Sequence, residues 1–255
     1  MESPRHCFAI SPVLAYNLAS ICDSESSGDD MGVPIGMKTD TVAWIFHAAV
    51  MGVACVSCNA VVPDALPPRC FVETGHTVRD GFLVRFEAMG GEQSLGYPIT
   101  EPFEQKGRLV QYFEYGRLED HPDDSGGPMV KFGMLGEDLG RRRPPVTPDR
   151  VPPASDRNSR FYSHIGHVIT GDFLTFFDNN GELDVFGFPI AEPVVANGRL
   201  VQDFQRARFV WHPNTAAGDR VTLEPLGCES FEVEGLDPAL LVPVACPFGA
   251  QVISR

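Results

Sequence analysis

Leu95-Gly96-Tyr97-Pro98-Ile99-Thr100-Glu101-Pro102 decides the fold, because it returns as Phe186-Gly187-Phe188-Pro189-Ile190-Ala191-Glu192-Pro193. The match extends in both directions at a constant offset of 167 − 76 = 91, the spacing between Gly75-His76 and Gly166-His167. Other matching pairs are residues 107–111 with 198–202, His121-Pro122 with His212-Pro213, and Leu135-Gly136 with Leu226-Gly227. A register that holds from residue 71 to residue 136 without insertion predicts two copies of one folded unit.

Length and charge limit the possible functions. The 255 residues are enough for two small units, and the formal net charge of −14 is the opposite of what phosphate binding requires. We therefore predict no nucleic-acid partner.

The segments flanking the repeated units differ from them in composition. Residues 1–36 are predicted to be disordered or a wrongly assigned leader, with Met37 the more natural start. Residues 37–62 are predicted to be a signal peptide or membrane anchor, because residues 42–56 form an apolar run followed by small residues. A buried helix is the alternative. The chain would contact a membrane only through residues 42–56, if they are not cleaved, and the protein would be secreted or at the cell surface.

The remainder divides into two repeats and two connecting segments. Repeat 1 spans residues 67–140, a Pro/Arg-rich linker residues 141–158, repeat 2 residues 159–228, and a C-terminal tail residues 229–255. The prolines predict an extended, solvated linker. We expect the tail to fold back onto the second repeat.

Each repeat is predicted to be one helix packed on a short antiparallel β-meander, which makes the fold class α+β. The helix would span about nine residues, with Thr77 or Asp80 as its cap and Gly90 ending it in the left-handed conformation. Its apolar face would carry Phe82, Leu83 and Phe86 in repeat 1, and Phe173, Leu174 and Phe177 in repeat 2. Turns at Lys106-Gly107 and Asn197-Gly198 predict hairpins, and residues 130–135 and 221–226 would form the last strands.

Three cysteines lie near or within the predicted repeats: Cys70, Cys228 and Cys246. None is matched in the other repeat, so they are not ligands of a repeated metal site. If the protein is exported, one disulfide among the three would tie down the ends of the chain. Buried free thiols are the alternative.

Polar residues that recur in both copies are the candidate functional residues. Gln111 shares a strand face with Leu109 and Phe113, so we expect it to be buried and bonded to the irregular backbone of residues 96–100. Its counterpart Gln202 and the pair His76 and His167 are likewise predicted to be structural.

A second set of candidates lies on the hairpin strands. Arg117 and His121 are four residues apart on one strand, so they share a face, and with Glu101 they could form a charge cluster. The alternative is an exposed ion pair that contributes little to the free energy of unfolding. The residues predicted to bind a ligand, on exposed aromatic and Arg/His surfaces, are Tyr112, Arg117, His121, Arg208, Trp211 and His212.

The sequence offers little indication of catalytic activity. The sequence lacks a nucleophile elbow, a zinc-protease helix motif and a phosphate-binding loop. Glu73, His76, Asp120 and His121 could approach a metal, but Glu73 and Asp120 are replaced in the second copy. We therefore predict no catalytic residues, no metal and no cofactor.

The repeated pattern resembles a known repeat family. The residues Gly90-Gly91, Leu95 to Pro98, Gly107 and Phe113 are similar to the LGFP repeat of bacterial cell-envelope proteins. The longer pattern, which continues through Gly107-Arg108-Leu109-Val110-Gln111 to His121-Pro122, resembles tandem repeats of exported bacterial proteins. The second copy departs from the LGFP pattern at Glu182 and Phe186. The resemblance implies an extracellular, non-catalytic module.

Together these features predict a non-catalytic binding or spacer module at the bacterial cell envelope. Its partner would be a cell-wall glycan or another envelope protein. The alternatives are a small hydrolase, possibly metal-dependent, that uses His76 or His121, and a purely structural interaction protein.

Overall fold

The first half of the described chain folds into a β-hairpin, short helices and a four-stranded antiparallel sheet. A computed structural model describes residues 66–123 and 129–254. The elements are β1 (Arg69–Phe71), β2 (His76–Val78), α1 (Asp80–Ala88), α2 (Glu92–Leu95), β3 (Phe103–Gln105), β4 (Arg108–Tyr112), β5 (Arg117–Asp120), β6 (Val130–Phe132) and α3 (Leu135–Asp138). The sheet follows the chain in the order β3-β4-β5-β6, so it is a meander.

The second half has the same order of elements. They are β7 (Ser159–Tyr162), β8 (His167–Thr170), α4 (Gly171–Asn179), α5 (Glu182–Phe186), β9 (Val194–Ala196), β10 (Arg199–Asp203), β11 (Arg208–Trp211), β12 (Val221–Leu223) and α6 (Leu226–Val233). Short 3₁₀ turns lie at Pro148–Arg150, Ala217–Asp219 and Pro238–Leu241, and the tail ends in β13 (Gln251–Ile253). The second meander has the order β12-β11-β10-β9.

The predicted α+β class is confirmed, but the expectation of one helix per unit is wrong. A second helix, α2, begins directly after Gly91. The last strand, predicted to reach residue 135, ends at Phe132, and Leu135 is the first residue of α3. The β1–β2 hairpin was also not predicted, because a three-residue strand is too short to show alternation. Residues 1–62, with the predicted leader and signal peptide, lie outside the described residues.

Helix α1 has the predicted length and buried face. It spans nine residues and buries Phe82, Leu83 and Phe86. Gly90 follows it with φ 90°, in the left-handed region, as predicted. The predicted cap is wrong, because the extended Arg79 precedes the helix and makes no side-chain cap bond.

Aromatic rings fill the core of both halves. Phe86 stacks on Phe113 with ring centroids 5.4 Å apart, and the residues 91 positions later, Phe177 and Phe204, stack at 5.6 Å. Buried residues of the two halves form one continuous cluster. Each such ring contributes roughly 1.5–3 kcal/mol through burial.

The last helix of each half packs on the other half. The Gly136 N–H at the start of α3 donates to the Gln205 carbonyl at 2.9 Å, and the Gly227 N–H at the start of α6 donates to the Glu114 carbonyl at 3.0 Å. A Cβ at Gly136 would lie 2.0 Å from the Phe204 oxygen. Only glycine permits this approach, which explains why Leu-Gly recurs in the sequence.

The linker and the tail each form a backbone hydrogen bond with one of the halves. The Val146 N–H of the linker donates to the Gly166 carbonyl of the second half at 2.9 Å, and the Val244 N–H of the tail donates to the Gly75 carbonyl of the first half at 2.8 Å. The expectation of a solvated linker is wrong at Arg141, which is 9% exposed. Its side chain forms ion pairs inside the protein.

The tail returns to the first half, not to the second as expected. Strand β13 pairs in parallel with β1, with Cys70 opposite Val252. A disulfide joins Cys70 to Cys246 across 176 residues of sequence, which confirms a disulfide between two of the three predicted cysteines. Within residues 66–123 and 129–254, no helix is long and apolar enough to cross a membrane.

Candidate functional site

The recurring glutamines lie inside the protein and hold backbone segments together. Gln111 Nε2 donates to the Thr100 carbonyl at 2.8 Å and to the Thr77 carbonyl at 2.9 Å. Gln202 makes the matching bonds to Ala191 and Val168. Both glutamines have no exposed surface. The predicted burial and the predicted bond to the segment of residues 96–100 are confirmed.

The recurring histidines are also fully buried, each beside a glutamate. His167 Nδ1 lies 3.1 Å from both carboxylate oxygens of Glu192, and His76 Nδ1 lies 3.6 Å from Glu101 Oε1. Glu101 also accepts the Thr77 N–H at 2.7 Å. The glutamates therefore support the β-hairpins. Arg117 and His121 do meet in a charge cluster, but through Glu119, so the expected part of Glu101 in that cluster is wrong.

Arg117 is the centre of an ion-pair cluster that joins the two halves. Its guanidinium contacts Glu119 at 2.5 Å, Asp138 at 2.9 Å and Glu234 at 3.1 Å. Burial lowers the pKa of Arg117, but the hydrogen bond and charge of Tyr112 and Glu119 outweigh it and raise this pKa above its usual value. Because Glu234 follows α6, this cluster fixes the end of the second half on the first.

A related cluster lies in the second half around Asp203, the residue 91 positions after Tyr112. Arg208 binds both Asp203 oxygens, at 2.6 and 3.1 Å, and Arg141 of the linker reaches the same carboxylate at 3.2 Å. Burial raises the pKa of Asp203 to about 6, although Arg141 opposes this shift. Glu224, which Arg208 also contacts, raises it further.

The remaining predicted ligand-binding residues also have partners within the chain. Trp211 Nε1 donates to Asp172 at 2.7 Å, His212 lies 2.8 Å from the Thr222 hydroxyl, and His121 lies 3.2 Å from Glu119. Tyr112 has no exposed surface, and Arg117 is 8% exposed. The expectation that Tyr112 and Arg117 form an exposed ligand surface is wrong, because the other half covers them.

Sequence reasoning missed the residues that complete these clusters. Glu234 and Arg141 lie in segments assigned to the tail and the linker, so nothing in the local pattern marked them as partners of the hairpins. One signal was present: the register pairs Tyr112 with Asp203, a change from an aromatic to a carboxylate on an otherwise matching strand.

An open cleft of about 300 Å³ lies between the helix corners of the two halves. One wall comes from the α1–α2 corner and the other from the α4–α5 corner. The lining residues are Ala88, Met89, Gly90, Gln93 and Ser94 on the first wall and Asn179, Asn180, Gly181, Asp184 and Val185 on the second. Every residue of the second wall lies 91 positions after one of the first, as in 179 − 88 = 91.

Asp184 is the charged residue in this lining, and two arginines lie close enough to interact electrostatically with its carboxylate. Burial lowers the pKa of Arg85 and of Arg206, and the Asp184 carboxylate partly offsets both shifts. Arg206 also donates to the Leu183 and Asp184 carbonyls, at 3.0 and 2.9 Å, which holds α5 in place. The hydrogen bonds from Arg206 therefore hold the polar wall of the cleft in a fixed position.

In the part of the chain that the structure describes, no group of three or more His, Cys, Asp or Glu residues is placed to hold a metal ion. Glu73, His76, Asp120 and His121 thus do not meet as such a group. Comparison with protein-family models finds no family that the chain matches, and comparison with curated proteins finds no match either.

Proposed function

We propose that this chain is a non-catalytic, extracellular binding and spacer protein of the bacterial cell envelope, made of two copies of one α+β module. Its ligand is a glycan of the cell wall. The observation that carries the proposal is the reciprocal exchange, in which Gly136 and Gly227 each bond to the opposite half. Two small modules joined in this way present their surfaces at a fixed spacing, which suits a spacer or a binding platform.

The chemistry of the recurring polar residues supports the non-catalytic part of the proposal. His76 and His167 are completely buried, and Gln111 and Gln202 use their amides on backbone carbonyls. A catalytic residue must reach the reacting atoms of its substrate. The residues that recur in both copies therefore fit a structural purpose, and the binding surface must be sought elsewhere.

The Cys70–Cys246 disulfide supports an extracellular location. Disulfides persist in oxidising compartments and are rare in a reducing cytosol. The tail that this bond fastens is itself part of the fold, because β13 pairs with β1. Export would therefore be a condition for the complete structure.

Co-sedimentation with purified bacterial cell-wall sacculi tests the binding function. We expect the full chain to sediment with sacculi, and to do so equally after their anionic polymers are stripped, because a net charge of −14 disfavours a polyanionic ligand. Failure to sediment with either preparation would contradict the proposed ligand. Binding lost on stripping would show that an anionic polymer is the ligand.

The N-terminus of the native protein tests its location. Mass spectrometry of protein recovered from the medium or the cell surface should show a chain that starts after the apolar run at residues 42–56, or one that retains it as an anchor. Protein that begins at Met1 and is found in the cytosol would refute the proposed export.

A further inference from the structure

The cleft between the two helix corners is open to solvent and large enough for a small ligand. Its volume of about 300 Å³ lies at the lower end of the range of roughly 300–1,000 Å³ that is usual for small-molecule sites. We propose that this cleft binds a neutral, hydroxyl-rich ligand of one or two sugar rings. The inference rests on the proposed function, since it assigns the glycan to a place on the molecule.

The two walls match in backbone position but differ in chemistry. The sequence-equivalent residues of the two walls, 91 positions apart, are Ala88 and Asn179, Met89 and Asn180, Gly90 and Gly181, Gln93 and Asp184, and Ser94 and Val185. The cleft itself can follow from the related shapes of the two halves. The exchange of Ala88 and Met89 for two asparagines does not follow from those shapes, and it gives one wall an apolar pair of side chains where the other wall has a polar pair.

A sugar ring has the same two-sided character. Its C–H groups form an apolar face, which would pack on Ala88 and Met89, and its hydroxyls point outward from the ring edge towards Asn179 and Asp184. Polar side chains fix the orientation of a ligand in such sites, and five of the ten residues that line this cleft have one. This arrangement therefore favours a carbohydrate over a purely apolar ligand.

The polar side chains at the cleft are available to a ligand. Within residues 66–123 and 129–254, the side chains of Gln93 and Asn179 have no hydrogen-bond partner in the protein, and both are exposed. Asn180, in contrast, donates to the Phe176 carbonyl at 2.7 Å. Asn180 therefore shapes the wall, while Gln93 and Asn179 each offer an amide with donors and an acceptor.

The charge of Asp184 selects for a neutral ligand. A carboxylate accepts hydrogen bonds from hydroxyl groups strongly, because a charged acceptor forms a stronger bond than a neutral one. Arg85 and Arg206 reduce the field of this carboxylate, but its charge and the net charge of −14 together repel uronic acids and phosphates.

Calorimetric titration of the full chain with three neutral disaccharides, N,N′-diacetylchitobiose, cellobiose and maltose, tests the site. We expect at least one to bind with a Kd of about 1 mM or tighter, and Asn179→Ala and Asp184→Asn each to weaken it about tenfold. Asn214→Ala is the matched control, because Asn214 is an exposed asparagine outside the cleft lining. Unchanged melting temperatures would show that the variants are folded.

Each other outcome overturns the inference. No binding of any of the three sugars would exclude the site, as would equal affinity in the wild type and both cleft variants. Tighter binding of a glucuronic acid oligomer than of a neutral sugar would contradict the role of Asp184. If sacculi bind the wild type and the cleft variants equally, the cleft assignment fails and the proposed function stands.

Discussion

A buried glutamine is the residue on which each half depends for the geometry of its most recognisable sequence. The segment of residues 96–102 connects α2 to β3 with only an isolated bridge at Pro98, so its carbonyls need donors from elsewhere. Gln111 supplies one to Thr100 and another to Thr77, and thereby ties this segment to β2. A side chain that bonds two separate segments stabilises the meander, the irregular segment and the hairpin together.

Replacing Gln111 with leucine should destabilise the protein by about 1–3 kcal/mol, because the Thr77 and Thr100 carbonyls lose their side-chain donor in a buried site. The loss is limited because Gln111 Oε1 itself has no partner among the described residues. Gln202→Leu should cost a similar amount. Urea unfolding measures the change, with the exposed Gln251→Leu as control. A loss no larger than that of Gln251→Leu would show that these bonds do not stabilise the fold.

Asp203 should give the stability a pH dependence of unusual sign for a carboxylate. Burial raises its pKa in the folded chain to about 6, from an ordinary value of 3.8. The folded state then holds the proton more tightly than the unfolded state. The stability from this group is fully present below the ordinary pKa and is lost as the pH rises through about 6.

Comparison with Asp203→Asn isolates this effect. The free energy of unfolding of the wild type minus that of the variant should decrease between about pH 4 and pH 7, measured by urea unfolding. Asp219→Asn, at an exposed position, is the control for the substitution itself. An increase with pH would mean that Arg141 and Arg208 stabilise the charged carboxylate more than burial disfavours it.

Helices α3 and α6 are short, and their packing partners explain why they form. The four residues of α3 are too few for a stable helix in isolation. The buried Leu135 and Gly136 at its start instead pack on the second half, where the Gly136 N–H meets the Gln205 carbonyl. Helix α6 is longer, with eight residues, and carries Phe231 onto the ring of Tyr112 at 5.6 Å.

Adding one methyl group at either glycine should separate the halves locally. A Cβ at Gly227 would lie 1.9 Å from the Phe113 carbonyl oxygen, and backbone cannot yield as a flexible side chain does. We expect Gly136→Ala and Gly227→Ala each to cost about 3 kcal/mol or more of the free energy of unfolding. Faster hydrogen exchange at the amide of residue 136 or 227 would locate the damage.

Gly218→Ala is the matched control for this pair, because nothing lies within 4 Å of a Cβ there and its φ is not positive. It should change the stability by less than about 0.5 kcal/mol. If Gly136→Ala were as harmless as Gly218→Ala, the close approach of α3 to the second half would be wrong.

The sequence predicts elements within one half better than contacts between the halves. Helix α1, the hairpin turn at Lys106-Gly107 and the burial of Gln111 follow from local periodicity and from a polar residue on an apolar strand face. The approach of Gly136 to Gln205 has no local signal, because the glycine could equally mark a turn. Arg141 is likewise indistinguishable from its neighbours Arg142 and Arg143 until its partners on the second half are known.

At the scale of the whole molecule, the chain passes from the first half onto the second and back again. The linker bonds to Gly166 of the second half, and the tail bonds to Gly75 of the first half. The contacts are reciprocal, as they are in an isologous interface between two identical subunits. A single chain achieves this arrangement here because its tail is long enough to return to β1.

The Cys70–Cys246 disulfide links the tail covalently to β1, and removing it should release the tail. The bond encloses a segment with a sequence separation of 176, and loss of a native disulfide typically costs about 2–5 kcal/mol. Cys246→Ser is the cleaner variant, because Cys246 is exposed and Cys70 is fully buried, so substitution of Cys70 would also leave a cavity.

We expect Cys246→Ser to lower the melting temperature and to speed hydrogen exchange of the Val72 amide, which donates to the Ile253 carbonyl of the tail at 3.2 Å. The Gly136 amide lies at the contact between the halves, not at the tail, so its exchange should change less. Phe248→Ser is the matched control: this residue is fully exposed and near Cys246, and its substitution leaves the disulfide intact. If Cys246→Ser retained the wild-type protection of Val72, the pairing of β13 with β1 would hold the tail without the disulfide, and the bond would not be what completes the fold.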